Sequence, residues 1–393
     1  MKTLARMDGS WFGISIVLVG LFGLLADTLS RFVSYDRVGF RAWETMTRVQ
    51  PSSTLSVFEP KRTYVNDAAY GDLAALGNMR DVRVLRREAF TTDSLGFRNA
   101  VPEGSRPVAV TIGTSFIAGS GLSDDETLAR RLSALLGDHV YNAGGVRTLT
   151  EQTVDTLCES IDLKNGGTAV IEYFERAEPP ALGKPPAGDT LGRAVFDRIL
   201  GPLRSAELGG WLRSSPLRIF LATQRKAIEN GILLPNSYGR NVIRKDLVNG
   251  DPMLFFPEDY ARPGWPADAP RRAAEYFQSL RSRLAKRHAR LFVVIIPTKY
   301  TVYGSLLRET ADTAPNVEFL EQMQAALVDA GVPVANLTRT MQQAAREGLA
   351  RRDYVYWRDD THWNPTGVSL AAAQIALQWR GLGLLGNSPG GAP

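Results

Sequence analysis

From Pro107 onward the chain alternates short apolar runs with stretches of helical period, and no other feature narrows its fold as much. Val108 to Ile112, His139 to Gly144, Ala169 to Tyr173, Leu291 to Ile296 and Pro333 to Leu337 read as buried strands. Ser123-Asp-Asp-Glu126 has the form of a capping box, and Leu128, Leu132 and Leu135 follow it at helical spacing. Helices are also predicted over Thr150–Leu163, Val317–Ala330, Leu337–Leu349 and Val368–Trp379. Another covers Ala269–His288, with Tyr276, Phe277, Leu280 and Leu284 on its inner side. Strand and helix in alternation predict an α/β chain, a parallel sheet covered by helices on both faces. The rhythm breaks between 177 and 265. A proline-rich loop over Glu178–Asp189 precedes an amphipathic stretch over 190–230, and Val242–Pro257 reads as a hairpin turning at Asn249-Gly250. The sheet pattern then resumes, so 177–265 is read as an insertion in a domain spanning 106–380, with a flexible tail over 381–393.

Ahead of that domain, Trp11 to Ala26 is strongly apolar and follows Lys2 and Arg6. A run of about 18 residues is at the lower end for a membrane span. Leu25-Ala-Asp-Thr-Leu-Ser30 lacks a small-x-small cleavage site, which favours a retained signal anchor over residues 1–30 above a cleaved signal peptide or a buried helix. The two basic residues favour a cytoplasmic N-terminus and place the bulk of the chain outside the cytoplasm. Residues 31–105 read as linker and capping segment. Arg31–Val49 could prolong the first helix, Pro51–Arg80 has no clear period, and Thr92–Asn99 forms a compact turn before the first core strand, either capping the sheet or lying near the site. The net charge of +5 arises from 46 basic and 41 acidic residues spread along the chain, a pattern too diffuse to argue for nucleic acid. The single cysteine, Cys158, permits no disulfide within the chain.

Two places carry chemistry. The first apolar run stops at Gly113-Thr114-Ser115, with further glycines at 119 and 121, so a serine stands where a parallel sheet presents its ligands. Of the three histidines, His139 opens a strand and His288 ends a basic helix; His362 lies in Arg358-Asp-Asp-Thr-His-Trp363 ahead of the last helix. A serine hydroxyl becomes a nucleophile when a base takes its proton, and a carboxylate beside the imidazole fixes its tautomer. Asp360 and Asp359 both stand within reach of His362 along the chain. No metal-ligand cluster or phosphate-cradling motif is visible, and neither a metal nor a cofactor is expected.

Gly113-Thr-Ser-Phe116, Tyr141-Asn-Ala-Gly144 and the late Asp360-Thr-His-Trp363 together resemble the SGNH (GDSL-type) hydrolase superfamily. The Asp360-Thr-His-Trp363 form, with Ile296-Pro-Thr-Lys-Tyr-Thr-Val-Tyr303 and the N-terminal anchor, resembles its membrane-attached, periplasmic alginate O-acetyltransferase-like branch. The resemblance implies a three-layer α/β/α fold around a central parallel sheet, with an inserted helical and hairpin segment and an N-terminal transmembrane helix. It makes Ser115 the nucleophile, His362 the base and Asp360 its partner, with Asp359 the alternative acid because the wider superfamily favours Asp-x-x-His. The backbone N–H groups of Ser115 and Gly144 would face the oxyanion, with Asn142 beside them.

Two positions depart from the superfamily. Thr114 stands where an aspartate is frequent, and Ile171–Arg176 has no asparagine where the third block usually carries one. Arg176 would either donate in its place or pair with Glu172 or Glu175. Lys299 would contact substrate or form a salt bridge at the sheet edge. The activity implied is O-acetyl transfer to an extracytoplasmic polysaccharide through an acetyl-serine, with a membrane-bound partner as donor and the domain held in the periplasm by a single pass through the inner membrane. An acetylesterase, or a noncatalytic glycan-binding or assembly component of an export complex, are the alternatives.

Overall fold

The computed structural model describes residues 9–30, 32, 47–49, 56–99, 106–146, 149–180, 215–228, 242–260, 265–309 and 315–383. Strands β1 (Thr47–Val49) and β2 (Ser56–Phe58) pair antiparallel, as do β3 (Thr63–Ala69) and β4 (Arg86–Thr91). Then come β5 (Ala109–Gly113), β6 (Val140–Gly144) and β7 (Thr168–Phe174). An antiparallel hairpin of β8 (Ile243–Asp246) and β9 (Pro252–Phe255) precedes β10 (Arg290–Ile296) and β11 (Val334–Asn336). The central sheet has five parallel strands in the order β11-β10-β7-β5-β6. The first strand of the sheet thus has the second on one side and the third on the other. This is a topological switch point, and ligands of open α/β sheets bind at the carboxyl edge there.

Both faces of the sheet are buried, which is why its strands are apolar throughout rather than alternating. One face packs Ala109, Val170, Phe292 and Val294 against the helices Leu128–Leu136, Thr338–Gly348 and Pro365–Gly381. The other packs Val110, Ile112, Ile171 and Val293 against Glu151–Ser160, Ala269–Lys286 and Val317–Asp329. The result is an α/β/α arrangement of three layers. Tyr276, Phe277, Leu280 and Leu284 are buried as expected, and so are Leu128 and Leu132; Leu135, at 41% exposure, is not. The capping box at Ser123 and Glu126 forms, opening a short 3-10 turn before the helix.

The first helix runs Gly9–Ser30, and Gly13–Ser30, with a mean hydropathy of 1.9, is long and apolar enough to cross a membrane. Continuation of that helix through Val49 is corrected: it stops at Ser30, and Thr47–Val49 is a strand; most of the residues between lie outside those described. The stretch without a period, 51–80, holds β2, β3 and a short helix over Asp72–Leu76. Of the amphipathic stretch 190–230, the helix Pro216–Ile228 is described, and the proline-rich loop beyond residue 180 and the tail from 384 fall outside the described residues.

Candidate active site

Ser115 opens a four-residue helix directly at the end of β5, and its side chain is exposed. Glycine is required at the two strand ends that meet beneath it. Gly113 lies opposite Gly144, where an added Cβ would fall 2.1 Å from the Ala118 backbone nitrogen. At Gly113 a Cβ would fall 2.1 Å from Glu172 Oε2. The serine helix can therefore sit down on the sheet edge only over bare backbone. As the first N–H of its helix, the Ser115 amide has no intrahelical acceptor.

Glu172 was missed as a site residue by reading the sequence. It projects from β7 under the serine turn, where its Oε2 accepts the Thr114 N–H at 2.7 Å and its Oε1 the Thr114 hydroxyl at 2.7 Å. Burial pushes its carboxyl up to about 7, and the two Thr114 hydrogen bonds oppose that shift. The unfolded chain releases this proton near pH 4.5, whereas the folded chain holds it until about 7. Between those values the folded state binds more protons, so stability from this group falls as pH rises through the window. Replacing Glu172 with Gln is expected to flatten the wild type's loss of stability between pH 5 and 7.5 in urea unfolding. An unchanged slope would show that Glu172 titrates elsewhere.

His362 comes from the far end of the chain. Residues 355–364 form a closed loop, bridged by Tyr356 and Trp363 and tied by the Asn364 N–H on the Val355 carbonyl at 3.1 Å. Trp363 is fully buried, and the Phe116 ring next to Ser115 lies 4.8 Å from the His362 ring and 5.4 Å from that of Trp363. The residue after the serine is thus the apolar floor under the imidazole. On that floor, His362 Nε2 is 2.7 Å from Ser115 Oγ, across 247 residues of sequence, and His362 Nδ1 is 2.7 Å from Asp360 Oδ1. Asp360 Oδ1 also accepts the His362 N–H at 3.0 Å. Burial alone would raise the Asp360 carboxyl, but the hydrogen bond and charge of His362 and the charge of Arg86 prevail and hold it far below the usual carboxylate range.

Asp359, the alternative acid, faces away. Its Oδ2 accepts the N–H groups of Gly71 at 2.7 Å and Val84 at 2.8 Å, and its carbonyl accepts that of Ala74 at 3.0 Å. Asp72 Oδ1 accepts the Thr361 N–H at 2.7 Å, and Asp72 Oδ2 stands 4.0 Å from His362 Nδ1. Residues 71–86 therefore hold the Asp359–Thr361 turn from outside, across the boundary expected at 105/106. The Thr92–Asn99 turn supports the serine side: Arg98 donates to the carbonyls of Gly119 at 2.6 Å and Leu122 at 2.7 Å. No local sequence signal marks Asp72 or Arg86, because their partners lie more than 270 residues away.

Three expectations for the rim are corrected. The Gly144 N–H donates to Asn142 Oδ1 at 2.9 Å, so it is engaged rather than free, and Asn142 is itself buried and bonded to Asn99. Arg176 pairs with neither Glu172 nor Glu175; its Nε and Nη2 grip Asp259 at 2.6 and 2.5 Å. Lys299 forms no salt bridge among the described residues. It is 2% exposed, and its ammonium donates to the carbonyls of Asp360 at 2.5 Å, Trp357 at 3.1 Å and Arg358 at 3.4 Å, a strut inside the histidine loop. Burial brings Lys299 down to about 8 against the opposing charges of Asp360 and Asp72. Asp72, Asp360 and His362 could together bracket a cation, with one ligand atom each within 4.8 Å of the others, but His362 Nδ1 is already committed to Asp360.

An exposed serine joined to a buried histidine and carboxylate suits acyl transfer, and residues 247–391 match the family described as SGNH hydrolase-like domain, acetyltransferase AlgX. Over those residues the chain is similar to the SGNH hydrolase-like, alginate O-acetyltransferase-like branch. The matched stretch includes Lys299, Asp360 and His362, and Ser115 lies outside it. The probable alginate O-acetylase AlgJ of Azotobacter vinelandii is 29% identical over 111 residues, covering 28% of this chain and 27% of that protein. The protein of the same name from Pseudomonas syringae pv. tomato is 29% identical over 98 residues, or 25% and 24%. That of Pseudomonas putida is 26% identical over 143 residues, covering 36% of each. The first two alignments thus span about a quarter of these relatives' length. A solved structure covering 70% of this chain superposes at a TM-score of 0.33 with 14% identity, a likeness too low to bear on the fold.

Proposed function

We propose that the chain is an O-acetyltransferase acting on an extracytoplasmic polysaccharide, with Ser115 as acyl carrier, His362 as base and Asp360 as its orienting acid. The hydrogen-bonded line from Ser115 Oγ through His362 to Asp360, with both links at 2.7 Å, carries this reading. As Ser115 Oγ bonds to the acetyl carbon, its proton passes to His362 Nε2. The tetrahedral intermediate collapses with loss of the donor's leaving group, which takes that proton. A sugar hydroxyl then gives its proton to His362 and bonds to the acetyl carbon, and Ser115 Oγ leaves with the proton. Asp360 holds the imidazole in the tautomer whose Nε2 lone pair faces the serine and stabilises the imidazolium between the two transfers. The Ser115 N–H is one donor to the oxyanion.

The apolar helix Gly9–Ser30 supports attachment to the inner membrane with the domain in the periplasm, where a membrane-bound partner would deliver acetyl groups. Likeness to proteins named probable alginate O-acetylase supports alginate or a similar polymer as acceptor. Exposure of Ser115 favours water as a second acceptor, which makes the same site an acetylesterase. The test uses p-nitrophenyl acetate as donor. We expect a burst of one nitrophenolate per protein and an acetyl group on the peptide containing Ser115. Added oligosaccharide should draw the acetyl into sugar rather than into free acetate. Acetate released at the same rate, with no acetylated sugar, would assign the esterase; no acetyl on that peptide would remove the acyl-serine route.

A further inference from the structure

We infer that Arg86 is the positioning residue of this site: its guanidinium grips Asp359 and Asp360 together and so turns Asp360 Oδ1 onto His362. The inference rests on the roles proposed for Ser115, His362 and Asp360. Arg86 lies on β4, far from the motifs that resemble the family, and only 7% of its side chain is exposed. Its Nη2 is 2.6 Å from Asp360 Oδ2 and its Nη1 is 3.2 Å from Asp359 Oδ1.

Two adjacent carboxylates buried side by side repel each other. Asp359 is steadied by two backbone N–H groups at 2.7 and 2.8 Å. Asp360 Oδ2 has, besides Arg86, only the Asp72 N–H at 3.2 Å among the described residues. Arg86 is thus the short, charged donor that sets the orientation of the Asp360 carboxylate. A planar fork can hold both carboxylates at once, where an ammonium offers a single point of charge.

The guanidinium is itself fixed in place. It lies 4.4 Å over the Trp357 ring, and its Nη1 donates to the Val84 carbonyl at 3.1 Å. It also rests against the serine segment, where a Cβ on Gly121 would come within 2.9 Å of Nη2. Arg86 therefore joins the serine loop, the histidine loop and the β3–β4 hairpin at one point. The other charged groups facing this cluster are Asp72, Glu88 with Arg98 behind it, Lys299 under the histidine loop, and Glu172 beneath the serine turn.

The experiment compares Arg86→Gln, Arg86→Lys and Ser115→Ala in the full-length protein, with p-nitrophenyl acetate as the probe across pH. Arg86→Gln is expected to lower kcat about 100-fold with KM within about twofold, as removal of groups that orient reacting residues does. It should also move the acid limb of the pH profile to higher pH, because the cation whose charge helps keep the Asp360 carboxylate ionised has gone. Arg86→Lys, which keeps the charge but reaches one carboxylate, should recover the position of the acid limb and only part of kcat. Unchanged kcat and acid limb in a folded Arg86→Gln protein would overturn the inference. So would a fall in kcat that merely tracks the folded fraction in both variants while the limb stays put. Turnover that survives Ser115→Ala overturns the acyl-serine reading and this role with it; loss at Ser115 beside a normal Arg86→Gln overturns this role alone.

Discussion

Ser115→Ala is expected to reduce acetyl turnover by a factor on the order of 10³ or more while leaving stability within about 0.5 kcal/mol of wild type. The two halves of that expectation have different causes. On the proposed route the activity falls because the atom proposed to carry the acetyl group has gone. Stability stays because Ser115 is exposed and its Oγ bonds only to His362 among the described residues. Residues acting as one chemical unit are not additive, so Ser115→Ala combined with His362→Gln should be no slower than the serine variant alone. Turnover of p-nitrophenyl acetate, measured beside a denaturant titration, checks both. A variant that keeps more than about a tenth of wild-type turnover would show that Ser115 is not the acyl carrier.

Lys299→Met should be the most damaging substitution to the scaffold of the site. The ammonium serves three backbone carbonyls in one turn of the histidine loop, those of Trp357, Arg358 and Asp360. A methionine fills much of the same volume and donates nothing. The Arg358 and Trp357 carbonyls keep the N–H groups of Leu254 at 2.9 Å and Asp360 at 3.4 Å, so the Asp360 carbonyl is the one left without its donor, and a loss of about 1–3 kcal/mol is expected, less any relief from no longer burying a charge. Activity should fall too, because the Asp360 carbonyl is held by the same ammonium and its carboxylate sets the imidazole. Urea unfolding and ester turnover report the two effects. Stability within about 1 kcal/mol of wild type with normal turnover would mean that the loop holds its shape without the strut.

Ser115 and His362 were legible because each is announced by its neighbours. Gly113 and the apolar run before it mark a strand end, and Asp360 lies two positions from His362, close enough for its carboxylate to accept both the backbone and the ring N–H of one residue. Lys299 could be seen at its strand end, yet its role could not. The same position suits a salt bridge, a substrate contact or a carbonyl strut, and only the path of the histidine loop around it selects the last. Gly144 likewise stood at the right edge, but whether its N–H is free depends on the rotamer of Asn142.

The class of the fold and the serine–histidine pair at its centre follow from local signals along the chain. Period, capping and turn chemistry act over a few residues, and they separate the strands and helices of the sheet domain and place a serine and a histidine at ends of those elements. Which charged groups surround that pair follows instead from how distant elements pack. Arg86, Asp72 and Glu172 reach the site from a hairpin, a short helix and the neighbouring strand. Arg86 meets Asp360 across 274 residues and Glu172 meets Thr114 across 58. Such contacts leave no period to read, because they are set by how elements stack and not by how any one of them coils.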